Sequence, residues 1–166
     1  IYGINSKKEN ICLRIKGFKR YVYVELPTRD SEFAISKLAK EKGAVKTECV
    51  SKHHLYYYSK EKKFLFLKCS FTTLKQLNMF TGILRHQIFV AGLGRHKFQV
   101  HENHATPVLQ LISTQNLKMA GWLTFVGKRV LENNMLTSCD KEYIVQYEDL
   151  VNSTKMNFVK PKILSF

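Results

Sequence analysis

Apolar and polar residues alternate from Ile11 to Lys16, with Ile11, Leu13 and Ile15 on one side and Cys12, Arg14 and Lys16 on the other. A period of two sets one side of a strand against a core. Ile1, Tyr2 and Ile4 form a similar run before the polar stretch Asn5 to Asn10, so the opening predicts a hairpin. Tyr21 to Leu26 predicts a third strand, stopped by Pro27. The period then lengthens. Phe33, Ile35, Leu38 and Ala39 recur as on a helix that Asp30 or Ser31 can cap and Gly43 can end. Val45 to Tyr58 reads as strand, Ser59 to Lys63 as a basic turn and Phe64 to Phe71 as strand again. Thr72 or Thr73 can cap a second helix carrying Leu74, Leu77, Met79 and Phe80, and Gln87 to Ala91 predicts the strand that follows.

Residues 21–91 thus run β-α-β-β-α-β, the order of a ferredoxin-like, or RNA-recognition-like, sandwich with two helices on one sheet face. After Gly92 and Gly94, a strand from Lys97 to His101 leads to Pro107, which opens a helix through Val108, Leu109, Leu111 and Ile112. Ala120 to Val126 and Tyr143 to Tyr147 predict two more strands, which we pair with the opening hairpin. Trp122 follows small residues and precedes an alternating run, as an inward-facing core anchor would. The expected class is α+β. A β-rich outer module comes from both chain ends, residues 1–20 and 97–156, and the ferredoxin-like unit, 21–96, is inserted in it.

With 166 residues, 45% hydrophobic and 12% aromatic, the chain can bury a core without covalent staples. Cys12, Cys49, Cys69 and Cys139 form no Cys-x-x-Cys pair and read as reduced structural thiols. His101 and His104 stand three apart, whereas a zinc helix needs a spacing of four, so no metal site is expected. No apolar run approaches the roughly 18 residues of a membrane span. Glu102, Asp140, Glu142, Glu148 and Asp149 make no motif for two-metal phosphoryl transfer, and no Ser-His or Cys-His arrangement has support, so no catalytic residue is assigned.

Charge changes the picture more. Residues 1–97 hold 20 Lys and Arg against 7 Asp and Glu, while residues 98–166 hold 7 against 6. An excess of one sign on a globular piece points to a polyanion such as nucleic acid, although a solvated lysine-rich face stays open as the plainer reading. The candidate contacts flank two strands. Arg14, Lys16, Lys19 and Arg20 lie before or around the first, which carries Tyr21 and Tyr23, and Lys60, Lys62, Lys63 and Lys68 flank the second, which carries Phe64 and Phe66. In an RNA-recognition fold, aromatic residues at such positions stack bases; the alternative is that these rings supply packing area.

Phe98 to Leu123, FQVHENHATPVLQLISTQNLKMAGWL, resembles a segment in the N-terminal domain of family B, delta-like DNA polymerases. There a strand ends in an aromatic-Glu pair, a Pro-containing helix follows and a Gly-Trp-aliphatic strand comes next. His101-Glu102, Pro107 to Ile112 and Gly121-Trp122-Leu123 hold those places, with His101 where the family more often has Tyr. IYGINSKKENICLRIKGFKRYVYVELP is similar to the family's opening. The closing run Pro161 to Phe166 resembles the strand that in the family continues into Asp-x-Glu, the first metal-holding carboxylates of the 3′→5′ proofreading exonuclease.

The resemblance implies that residues 157–166 begin a truncated exonuclease domain and that the chain is a fragment. It implies a non-catalytic domain that guides single-stranded template and scaffolds the exonuclease, with no cofactor of its own and Mg2+ serving the parent polymerase. DNA and the remaining polymerase and exonuclease domains are the expected partners. The setting would be intracellular, in the nucleus or at a viral replication site. The preference for Lys over Arg suits an A+T-rich genome, and a large DNA virus is one such source. Two alternatives remain open at this point: a free-standing RNA-binding module and a purely architectural domain.

Overall fold

A computed structural model of the chain describes residues 1–54 and 62–154. In chain order its elements are β1 (Tyr2–Ile4), β2 (Asn10–Lys16), β3 (Arg20–Glu25), α1 (Asp30–Glu41), β4 (Ala44–Lys52), β5 (Phe64–Phe71), α2 (Leu74–Leu84), β6 (Ile88–Val90), β7 (Gly94–His96), β8 (Val100–His101), α3 (Pro107–Thr114), β9 (Leu123–Arg129) and β10 (Lys141–Asn152), with a short 3₁₀ turn at Glu132–Asn134. The class is α+β with three open sheets. No described helix is long and apolar enough to cross a membrane. The chain divides into two compact units, Ile1–Phe18 with Leu111–Phe166, and Lys19–Gln110.

The first unit is built on a sheet of order β1-β2-β10-β9, which joins the two ends of the chain. β1 and β2 form the expected hairpin, and β10 lies parallel to β2 with Leu13 opposite Tyr143 and Ile15 opposite Val145. Leu13, Leu111, Leu117, Val145 and Leu150 bury into one core, with Ile11, Ile15, Leu123 and Phe125 packed against it. That core explains a glycine in the middle of β9. A Cβ on Gly127 would stand 2.7 Å from Val145 Cγ2 and 2.9 Å from the Ile144 carbonyl oxygen. Trp122 is half-buried and outside the cluster, contrary to the expectation of a core anchor. β9 starts at Leu123, three residues beyond the expected Ala120, and it is Leu123 and Phe125 that pack against the core; alternation gives Trp122 the other parity.

The second unit carries a sheet of order β4-β5-β3-β8. Val22 and Val24 of β3 and Leu67, Cys69 and Phe71 of β5 meet Ile35 and Ala39 of α1 and Leu77, Phe80 and Leu84 of α2 in its core. Thr73 caps α2 through a capping box with Gln76, as its position suggested. α1 starts differently. Its N-cap is Arg29, with no side-chain cap, and Ser31 Oγ donates 2.6 Å to the Thr28 carbonyl. The strand beside β3 also differs from expectation. Among the described residues Ile88–Val90 pairs only with Gly94–His96, and Val100–His101 lies against Tyr23 and Val24. Gly92 and Gly94, at φ 81° and 78°, let the chain turn back on itself directly after β6. The hairpin therefore leaves the place beside β3 to the next extended segment.

Candidate nucleic-acid interface

Alternation that sends Val22 and Val24 to the helices sends Tyr21, Tyr23 and Glu25 to the opposite face of the second unit's sheet. β5 adds Phe64, Phe66 and Lys68 to that face, and the register sets Glu48 opposite Lys68 and Lys52 opposite Phe64. The charged and aromatic candidates of these strands thus meet on one surface without a helix of the unit's core over it.

The rings on that surface are covered by other side chains. Tyr21, Tyr23 and Phe66 are only 4%, 6% and 5% exposed. Lys68 Nζ lies 4.2 Å from the Tyr21 ring centre and 5.9 Å from that of Tyr23. Lys52 Nζ lies 4.3 Å over Tyr23 and donates 2.8 Å to its hydroxyl. Such cation–π contacts pin an ammonium while leaving it able to attract anions. Burial draws the Lys68 pKa below its usual range, with Glu48 pulling the other way.

Two histidines complete the cover. His54 meets Phe64 edge-on at 4.4 Å between centroids, and His101 meets Phe66 edge-on at 5.5 Å. Both reach Glu25: His54 Nε2 is 3.1 Å from Oε1 and His101 Nε2 3.4 Å from Oε2. Among the described residues no group of three or more His, Cys, Asp or Glu could hold a metal ion.

The remaining candidates are dispersed. Arg14 and Lys16 belong to the first unit, where Arg14 Nη1 bonds Glu142 Oε1 at 3.0 Å and Lys16 is exposed. Burial would push the Glu142 carboxyl up, but the Leu136 N–H, Arg14 and the Thr137 hydroxyl outweigh it and hold the pKa below the usual carboxylate value. In the second unit Arg20 Nη2 donates 3.2 Å to the Ala105 carbonyl, and Arg20 Nε is buried without a hydrogen-bond partner among the described residues. Lys19, Lys62 and Lys63 are exposed, with Lys62 Nζ 5.1 Å from the Phe64 ring centre. Lys60 lies outside the described residues.

The sequence assigned no binding role to Glu25, Lys52, His54 or His101, whose contacts hold this surface together. Lys52 and Glu25 could have been found by carrying the alternation to the strand ends. His54 and His101 gave no such signal, since each lies outside the body of a long strand.

No protein-family model matches the chain. It is 30% identical over 195 aligned positions to DNA polymerase 120R of Invertebrate iridescent virus 3, covering 100% of this chain and 17% of that protein. It is 26% identical to the DNA polymerase delta catalytic subunit of Arabidopsis thaliana, over 92% of this chain and 15% of that protein. The chain spans about a sixth of the length of these curated relatives. In fold it is similar to the family B DNA polymerase from the hyperthermophilic archaeon Pyrobaculum calidifontis. The TM-score is 0.65 at 12% identity, over 96% of this chain and 18% of that one.

Proposed function

Because this chain belongs to the family B DNA polymerases, we propose that it forms the non-catalytic N-terminal domain of a replicative polymerase, guiding single-stranded template and bracing the exonuclease domain. The observation that carries this reading is the open sheet face of the second unit, where Lys52 and Lys68 sit over the tyrosine rings and Lys62 and Lys63 stand exposed beside them. Ammonium groups in an extended set suit phosphate tracking without choice of base.

We read the strand order β4-β5-β3-β8 with α1 and α2 on one face as the ferredoxin-like subdomain. Residues 157–166, outside the described residues, are read as the first strand of the exonuclease domain. Mg2+-dependent synthesis and editing then belong to the rest of the polymerase, acting in the nucleus or at a viral replication site. A free-standing RNA-recognition module is the weaker reading, because Tyr21, Tyr23 and Phe66 are too covered to offer their faces to bases.

The test is binding of a single-stranded oligonucleotide at several salt concentrations. If about four lysines neutralise phosphates, log affinity falls against log salt with a slope near −3. Replacing Lys62 and Lys63 by Gln flattens that slope by about 1.4. A salt-independent interaction, or none at the lowest salt, would leave the domain purely architectural.

A further inference from the structure

Four of the chain's six histidines, His53, His54, His101 and His104, line one cleft of about 1060 Å³ in the second unit. Lys52, Arg85 and Lys97 line it as well, and Glu102 is the one carboxylate among the lining residues. Tyr23 and Phe66 form part of its wall, so the cleft opens from the surface described above and continues past β8 to the end of α2. Arg85, Lys97, His53 and His104 are all exposed.

We propose that this cleft is a phosphodiester-binding site for single-stranded nucleic acid whose affinity rises on acidification. The inference rests on the template-guiding reading and assigns it a place and a proton dependence. Imidazole is the side chain whose charge changes between about pH 5 and 8. The groups facing these histidines are Glu25 from β3, Lys52 at the end of β4, Arg85 at the end of α2, and Lys97 and Glu102 on either side of β8.

At neutral pH the carboxylates of Glu25 and Glu102 oppose the lysines and Arg85, and Glu25 carries the hydrogen bonds of His54 and His101. Protonation of those two rings turns the pair of hydrogen bonds into ion pairs and over-compensates the Glu25 charge. His53 and His104 add further positive charge at the exposed rim. Phosphate then meets a cleft with a larger positive excess and a screened carboxylate.

The experiment measures the affinity of this chain for oligo(dT), whose bases do not titrate in the range, from pH 7.5 to 5.5 at fixed low salt. Wild type is expected to bind at least about fivefold tighter at the acid end. His53→Gln with His104→Gln should lose about half of that gain on a logarithmic scale, and Arg85→Gln with Lys97→Gln should weaken binding at every pH and lower the salt slope by about 1.4. These four positions are exposed, and an unchanged melting temperature confirms that the variants fold. A pH-independent affinity in wild type would overturn the inference. So would cleft variants that bind like wild type while the Lys62 and Lys63 replacements weaken binding, and either result leaves the template-guiding reading standing. No binding by wild type at the lowest salt would overturn that reading and this one with it.

Discussion

Arg14 Nη1 lies 3.0 Å from Glu142 Oε1, joining the second strand of the chain to its last described strand. Glu142 is wholly buried and Arg14 about one-third exposed, and the carboxylate also accepts from the Leu136 N–H at 2.9 Å and the Thr137 hydroxyl at 3.1 Å. A buried carboxylate loses more when its partner is removed than the pair adds in sum. Arg14→Ala should therefore lower the melting temperature by several degrees, while the salt slope of DNA binding stays at the wild-type value. Calorimetry and a binding titration on the same sample check both halves.

The same pair sets a pH dependence. The Glu142 carboxyl is held below its ordinary value in the folded protein, so its contribution is present above the unfolded carboxylate pKa and is lost as pH falls through the folded one. Melting temperatures between about pH 5 and 2 should fall less steeply for Glu142→Gln than for wild type, from a lower starting point at neutral pH. Parallel curves would show that Glu142 does not carry the acid limb.

Phe66 lies 5.5 Å from the His101 ring and 6.4 Å from that of Tyr23, both edge-on. With 5% exposure it serves as packing rather than as a platform for bases. Phe66→Ala should cost about 3–5 kcal/mol of stability. The affinity of the folded fraction for oligo(dT) should fall by less than the loss of about 1–3 kcal/mol expected for a ring that stacks a base. Denaturant unfolding and a binding titration under stabilising conditions separate the two.

Burial pushes the Cys69 thiol up to about 12. At pH 8 in native buffer iodoacetamide should leave Cys69 unmodified while alkylating the half-exposed Cys139, and denaturant should make both react. Peptide mass spectrometry reads the difference. Early labelling of Cys69 would mean that the core between β5 and the helices opens readily.

Gly127 faces Val145 and the Ile144 carbonyl across the β9–β10 pair, with no room for a methyl group. Gly127→Ala should destabilise the protein by about 1–3 kcal/mol through overpacking. Among the described residues nothing lies within 4 Å of a Cβ added at Gly3, so Gly3→Ala provides the control and should change stability by less than about 0.5 kcal/mol.

The long elements were legible because their signals are local. Phe64 to Phe71 is an apolar, aromatic-rich run and forms β5 over those residues, Pro107 opens α3, and Thr73 caps α2. The hairpin at the start and the strands near the other end were legible too, although their parallel pairing through β2 and β10 joins residues about 130 apart and no local pattern announces it. The short pieces were misread for the same reason. β8 has two residues, too few for a period, and only the turn at Gly92 and Gly94 shows that β6 pairs elsewhere.

By itself the sequence determined the class of the fold, the resemblance to the polymerase family, and the positive charge that favours a polyanion. These depend on composition, periodicity and motif, which read the same in any conformation. Only the tertiary structure decided which charges remain available. It paired Arg14 with Glu142, tied Arg20 to the Ala105 carbonyl, closed Lys52 and Lys68 over the tyrosines, and gathered histidines from two distant segments around Glu25 and one cleft. A side chain's hydrogen-bonding partners and its exposure are fixed by segments far away in the chain, and so they appear only once those segments have packed.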